Sequence, residues 1–292
     1  MKKLPKILII AGSDPSGGAG LQADIKVATA HKVYAGAVVT CLTAQNTQGV
    51  SAVFNPPVAF LRAQLEAVLD DIKFDAIKIG MLGNVEIIDC VADVLRAKAK
   101  KIPLILDTVM VSTSGHLLLE KNAVEALKSR LLKGALLATP NIDEAEVLAQ
   151  MPIKNLNDMK LAALKIKALG ACNVLIKGGH LPAKNGKIES VLLLEDSVKT
   201  AGFGVIKTKA LALNSATAIL AKNNFVIISN KKIAVAKLHG TGCSLASAIA
   251  CNIAKKIELL KAVKLANQYI YRCALANLKI GKGARVLQHF TS

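Results

Sequence analysis

Six apolar runs of strand length, at residues 7–11, 36–42, 76–79, 104–106, 135–138 and 174–176, alternate with stretches of helical period at 21–31, 58–69, 85–98, 123–132 and 159–169. A run that is apolar throughout has no solvent face, so each reads as a strand covered on both sides. The helical stretches supply the crossovers that parallel strands require. The alternation therefore predicts an α/β chain with a mostly parallel central sheet flanked by helices on both faces. Only 3% of the residues are aromatic and none is Trp, so within a hydrophobic share of 52% the core must be built from Val, Ile, Leu and Ala. A chain of 292 residues in this pattern is expected to fold as a single domain.

Ligands of open α/β sheets bind beyond the carboxyl ends of the strands, which makes the residues after each run the informative ones. The first run leads into Gly12-Ser13-Asp14-Pro15-Ser16-Gly17-Gly18-Ala19-Gly20. The second leads into Thr43-Ala44-Gln45-Asn46-Thr47-Gln48-Gly49, a polar cluster too long for a simple turn. Gly80-Met81-Leu82-Gly83 follows the third, and Asp107-Thr108-Val109-Met110 with the later Ser114-Gly115 follows the fourth. The fifth ends in Thr139-Pro140-Asn141-Ile142-Asp143-Glu144 and the sixth in Lys177-Gly178-Gly179-His180. Singly, each has a structural reading: Asn141 as a helix cap, Asp107 as a turn former, Lys177 as a surface lysine. Jointly they put polar, acidic and glycine residues along one rim of the sheet.

Near the carboxyl end, His239-Gly240-Thr241-Gly242-Cys243-Ser244 runs into the small-residue stretch 245–254, which reads as a glycine loop opening a helix. The first amides of a helix point outward with partial positive charge, and glycine lets a backbone approach an anion closely. Cys243 stands at the helix start, where a thiol is biased toward thiolate. Glycine turns before helices are common, so this segment alone leaves two readings open, a turn or a phosphate cradle.

The net charge of +18 suggests an anionic partner, which could be nucleic acid, membrane or a phosphorylated small molecule, with solvated helix faces as the plainer explanation. Lysines occur as singles and pairs, with no basic stripe interleaved with aromatics, so neither nucleic acid nor membrane is expected. The 7–11 run is too short for a signal-peptide core. The six cysteines, at 41, 90, 172, 243, 251 and 273, form no C-x-x-C pair, and a cytoplasmic location is expected. There is no Walker A pattern, no G-x-G-x-x-G fingerprint, and no zinc spacing among the five histidines.

Phosphoryl transfer from ATP needs a divalent metal, a cation on the phosphates, preorganised amides and a base for the attacking oxygen. The rim offers candidates for each. Glu144 and Asp107 can serve Mg²⁺ through waters, because that ion dehydrates reluctantly. Lys177 can meet phosphate oxygens, the Gly240, Thr241 and Gly242 loop can hold the γ-phosphoryl group, and Cys243 can take the hydroxyl proton.

In order along the chain, the segments 11–24, Thr43-Ala44-Gln45-Asn46-Thr47, Lys78-Ile79-Gly80-Met81-Leu82, Thr139-Pro140-Asn141, Lys177-Gly178-Gly179-His180 and 239–243 closely resemble the hydroxymethylpyrimidine/phosphomethylpyrimidine kinases. These are the thiamine-pathway branch of the ribokinase-like superfamily. The match continues to Gly281-Lys282-Gly283 and His289-Phe290, so it spans nearly the whole chain. The resemblance implies a ribokinase-like fold and two successive phosphorylations by Mg-ATP, of 4-amino-5-hydroxymethyl-2-methylpyrimidine and then of its monophosphate. It puts Gln45 on the pyrimidine, with Gly12, Asp24, Met81 and Val109 shaping that pocket. It puts Asn141 and Glu144 on the metal and phosphate side, Lys177 and Thr241 on ATP, and Cys243 at the position of the base. It also implies a homodimer.

Between His180 and His239 the chain is longer than the family pattern, and the extra length falls around 199–231, where 210–221 is expected as an added helix or a flap. Lys237-Leu238 replaces a short polar pair of the family. A pyridoxine or pyridoxal kinase of the same fold is the alternative, since that ring also carries a hydroxymethyl group; Gln45-Asn46-Thr47 and Cys243 favour the pyrimidine. A non-catalytic nucleotide or nucleic-acid binder is the reading from another class.

Overall fold

The computed structural model describes residues 4–110, 121–183, 185–195, 211–213, 217–222, 224–235 and 238–290. The chain divides into two compact units, residues 1–131 with 235–292, and residues 132–234.

The first unit opens with β1 (Lys6–Ser13), α1 (Gly20–Ala30), β2 (Tyr34–Asn46), β3 (Gly49–Phe54), α2 (Val58–Asp71), β4 (Ala76–Ile79), α3 (Val85–Lys98), β5 (Leu104–Leu106) and α4 (Lys121–Leu127). The second holds β6 (Leu137–Ala138), α5 (Ile142–Ala149), α6 (Leu156–Ala168), β7 (Val174–Ile176), β8 (Lys187–Leu193), β9 (Leu211–Leu213), β10 (Thr217–Lys222) and β11 (Phe225–Lys231). The chain then returns to the first unit with β12 (Leu238–His239), α7 (Thr241–Ala254), α8 (Leu259–Leu275) and β13 (Arg285–Val286).

In the first unit the strand order is β3-β2-β1-β4-β5. The last four are parallel, and β3 is antiparallel to β2. Ile7, Leu8, Ile9 and Ile10 of β1 are fully buried, as an unbroken apolar run requires. One helical layer joins α1, α7 and α8, and another joins α2, α3 and α4. In α3, Asn84 caps the first turn by accepting from the Ile87 amide, Glu86 sits in that turn, and Arg96 and Lys98 end the helix. Helix α7 is buried on every side from Ser244 to Ala254. Its Ser, Ala and Cys side chains let it lie close against β1, β4 and β5 on one side and α1 and α8 on the other.

The second unit runs in the order β6-β7-β8-β11-β10-β9. Here β6 and β7 are parallel and the rest antiparallel. The expected α/β class is what forms, with parallel strands in each unit and antiparallel strands beside them.

The polar cluster after the second run, too long for a simple turn, carries β2 on through Thr43 and Gln45 into a hairpin with β3. Strand β3 is largely exposed, so no apolar alternation marked it. In the stretch expected as an added helix or flap, the described residues are strands, with Ile219 opposite Ile228 and Ala221 opposite Val226. A short apolar run fits either period, and the ladder to β8 through β11 decides it. Residues 199–210, 214–216 and 223 lie outside the described residues, as do Ser114-Gly115 and Lys237. Among the described residues no helix is long and apolar enough to cross a membrane.

His289 fastens the carboxyl end. It is 4% exposed, its Nδ1 lies 2.9 Å from Tyr269 Oη, and Tyr269 meets His31 edge-on. Burial pushes the His289 pKa down to about 4. The unfolded chain takes up this proton near the ordinary histidine pKa, so the contribution is complete above that value and is lost as pH falls toward 4. Urea unfolding of the wild type should lose about 2 kcal/mol more between pH 7 and pH 5 than the same titration of His289→Phe. Parallel losses would show that His289 ionises in the folded state.

Candidate active site

Asp14 organises the glycine loop after β1. Its Oδ1 accepts from the Ser16 amide at 2.9 Å and the Ser16 hydroxyl at 2.7 Å, and its Oδ2 accepts from the Gly18 and Ala19 amides at 3.2 and 2.8 Å. Burial works to raise the Asp14 pKa, but the bonds from His239, Ser16 and Ala19 outweigh it and hold the carboxyl below its ordinary value. Asp14 is thus ionised, and it gathers a run that would otherwise be slack.

The second loop packs directly on the first. Gly240 has φ of 80°, and a Cβ there would stand 1.9 Å from the Gly18 carbonyl oxygen, so only glycine fits. Helix α7 starts at the next residue, and no side chain caps it. Its first turn therefore offers the amides of Thr241, Gly242 and Cys243 beside a half-buried thiol. Just before Gly240, the His239 Nε2 lies 3.0 Å from Gln45 Nε2 and 3.4 Å from Asp14 Oδ2. Beside the thiol in sequence, Ser244 Oγ is the one buried side-chain polar atom lacking a hydrogen-bond partner among the described residues.

Beneath both loops lies a buried ion pair. Lys78, in the middle of β4, is completely enclosed, with its Nζ 2.6 Å from Asp24 Oδ2. Ser247 of α7 donates to Asp24 Oδ1 at 2.7 Å. Burial alone would drive the proton off Lys78, yet the charges of Asp24, Cys243 and Asp107 outweigh it and the pKa rises. The ammonium therefore stays charged, and by the same interaction it favours negative charge on Cys243 Sγ.

The structure brings several expected residues together. Gly12 and Met81 meet, since a Cβ on Gly12 would lie 2.6 Å from Cys41 Sγ and 3.3 Å from Met81 Sδ. Gln45 joins the Gly240 loop through His239. Asp24, expected to shape the pyrimidine pocket, has both oxygens engaged and no exposed surface, so its contacts are with Lys78 and with Ser247 of α7. Asp107 is 1% exposed at the end of β5, and Val109, which follows, is half-buried.

In the second unit, Asn141 is the N-cap of α5. Its Oδ1 accepts from the Glu144 amide at 2.8 Å, and Glu144 Oε2 accepts from the Asn141 amide at 2.8 Å, a reciprocal capping box. The Lys177 Nζ stands 4.0 Å from Glu144 Oε2. Among the described residues no three His, Cys, Asp or Glu side chains gather to cage a metal. The oxygens of Glu144 are hard donors, and this carboxylate already accepts an amide and stands 4.0 Å from a cation, so by itself it fits contact with a hydrated Mg²⁺ through the ion's waters.

The sequence model of the phosphomethylpyrimidine kinase family matches residues 14–288. The chain belongs to that family. The hydroxymethylpyrimidine/phosphomethylpyrimidine kinase of Synechococcus elongatus is 39% identical to it over 287 residues, 98% of each chain. Against the thiamine biosynthetic bifunctional enzyme of Arabidopsis thaliana, this kinase spans about half of the relative, 46%, at 38% identity over 92% of its own length. Among solved structures, an ADP complex of Bacillus subtilis pyridoxal kinase superposes with a TM-score of 0.81 at 30% identity, covering 98% of each chain. The phosphomethylpyrimidine kinase of Clostridium difficile gives 0.72 at 36% identity, covering 93% of this chain and all of that one. The fold is therefore ribokinase-like, and the kinase is a phosphotransferase.

Three residues of this site were not singled out from the sequence: Asp14, Lys78 and His239. Lys78 carried a signal, a cation inside an otherwise apolar strand, which burial tolerates only beside an anion. Lys78→Met should leave the buried Asp24 carboxyl without its counter-charge, destabilising the kinase by about 3–5 kcal/mol. Adding Asp24→Asn should return part of that loss in urea unfolding, and additive losses would show that the two side chains are not coupled.

Proposed function

We propose that this kinase transfers the γ-phosphoryl group of ATP first to the hydroxymethyl oxygen of 4-amino-5-hydroxymethyl-2-methylpyrimidine and then to the resulting monophosphate, giving the diphosphate. The observation that carries this reading is the contact between Gln45 and His239, which joins the proposed ring contact to the Gly240–Cys243 loop. Family membership and relatives named for this activity support it.

In the first transfer the hydroxyl oxygen bonds to the γ-phosphorus and the bond to the bridging oxygen breaks, so that ADP leaves. Cys243 accepts the hydroxyl proton, with the Lys78 ammonium and the helix start favouring its thiolate. The amides of Gly240, Thr241 and Gly242 hold the moving group at the amino end of α7. Gly12, Met81 and Val109 enclose the ring, with Asp24 setting the floor through Lys78. Lys177, Asn141 and Thr241 would each contact ATP, and Glu144 and Asp107 are the carboxylates that would meet Mg²⁺ through water, whose chemistry would be to neutralise charge on the phosphates.

A cytoplasmic homodimer fits this reading. Leu42 and Phe54 stand opposite one another on β2 and β3, and with Val53 and Phe60 they are exposed large apolar side chains of the kind a second copy covers. Sedimentation velocity checks the assembly. Pyridoxal phosphorylation is the second reading, favoured by the Bacillus subtilis pyridoxal kinase superposition.

Purified protein with Mg-ATP and the hydroxymethylpyrimidine should release ADP and form both phosphorylated products, with a higher kcat/KM than on pyridoxal. No turnover of either pyrimidine sinks the proposal, and the reverse preference selects pyridoxal. Cys243→Ala should lower kcat by about 10²–10⁴ while its unfolding midpoint stays in place; a near-normal kcat removes the thiol as base. Gln45→Ala should raise the KM for the pyrimidine and leave that for ATP, whereas an equal rise in both argues against ring contact.

A further inference from the structure

Hydrogen-bond accounting around Gln45 leads one step beyond its assignment as a ring contact. The Thr43 hydroxyl has a single proton, and Ser13 O lies 2.7 Å away to receive it. The same hydroxyl oxygen is 3.2 Å from Gln45 Oε1. With its proton given to Ser13, Thr43 can only accept, so an oxygen facing it makes no bond. On the other side, Gln45 Nε2 lies 3.0 Å from His239 Nε2. An amide nitrogen there needs a bare ring nitrogen, and a bare lone pair would also face the ionised Asp14 Oδ2 at 3.4 Å.

Turning the Gln45 amide by half a turn removes both conflicts. Its nitrogen then donates to Thr43, and its oxygen accepts from a protonated His239 Nε2. That N–H also faces Asp14 Oδ2 at 3.4 Å, where an ionised carboxylate, which can only accept, favours a ring N–H over a bare lone pair. The two ends of an amide are told apart by their partners, and here every partner agrees.

We propose that His239 is a positioning residue for substrate selection: held as the Nε2–H form by Asp14, it fixes which end of the Gln45 amide donates and which accepts. With one N–H spent on Thr43 and one lone pair on His239, Gln45 keeps one donor and one acceptor for a ligand. That pair complements a heteroaromatic ring that carries an amino group next to a ring nitrogen. The fixed orientation admits such a ring one way round. The inference rests on Gln45 as the ring contact, and its structural half stands independently of turnover.

The test has two arms on the full chain. Nitrogen-15 NMR of the labelled wild-type protein, with the His239 signals assigned by their loss in His239→Gln, should show Nε2 protonated. An Nδ1–H form with a bare Nε2 overturns the proposal, whatever the substrate. In the kinetic arm, His239→Leu should raise the KM for the hydroxymethylpyrimidine about tenfold, the worth of about one hydrogen bond, with kcat and the ATP KM nearly unchanged. His239→Gln, which returns an N–H at a similar reach, should recover most of that loss. Equal rises in both KM values, or no recovery with Gln, overturn the positioning role. Failure of the pyrimidine to react at all, with Nε2 protonated, counts against the kinase reading and leaves the amide orientation in place.

Discussion

A charged lysine in the middle of a parallel sheet is the constraint around which the first unit is arranged. Lys78 cannot be solvated, and its only acceptable state is ionised against Asp24. Satisfying it draws together three elements far apart in sequence: β4, which carries it, α1, which carries Asp24, and α7, whose Ser247 takes the remaining carboxylate oxygen. From there β4 leads on toward Met81, α1 follows the glycine loop, and α7 opens with the Cys243 turn. Fixing their mutual placement at one buried point therefore fixes the loops one turn above it. An apolar trio of the same volume would pack as well, but it would put no positive charge beneath the thiol.

The loops themselves are joined by contact too close for side chains. Gly240 rests on the Gly18 carbonyl, and Gly20 closes on the Gly12 carbonyl, where a Cβ would stand 2.5 Å away. Both glycines have positive φ. Asp14 then converts the Gly-rich run into a defined turn by collecting its amides. The outcome is a set of loop amides placed by contacts within the protein, the kind of arrangement that preorganised dipoles require.

How much of this the sequence disclosed follows from the kind of signal each part emits. Burial on both faces leaves an unbroken apolar run, so β1 and β4 were legible. Helix α3 was legible to its ends, because period, cap and terminal charges agree over Val85–Lys98. Strand β3 was not, because Val53 and Phe54 face outward and β3 is exposed along most of its length. Strand β10 was not, because its partner β11 lies beyond a turn and a short run of small and apolar residues carries no period of its own. Of the site, the strand-end reading supplied Cys243 and the glycine loops, and the resemblance put Gln45 on the pyrimidine. It did not supply the Asp14–His239–Gln45 chain, which depends on residues separated by 194 positions in sequence. Spacing along a chain cannot announce a contact of that range.

Asn141 and Gly240 show why a structural and a functional reading of one residue need not compete. Asn141 is a helix cap, as its residue type alone suggests, and its partner in the capping box is Glu144. The box orients the Glu144 carboxylate and brings it to 4.0 Å from Lys177, yet it occupies only part of that group's acceptor capacity. Gly240 is likewise a turn glycine, and the turn it permits is what starts α7 against the Gly18 carbonyl. In both places the local rule that explains the backbone also determines where the polar atoms face. A carboxylate held by a cap can meet a hydrated cation without first paying the entropy of being ordered. A helix start without a side-chain cap, fixed by a glycine at φ of 80°, leaves its first amides pointing outward, and the proposed anion contact rests on that arrangement.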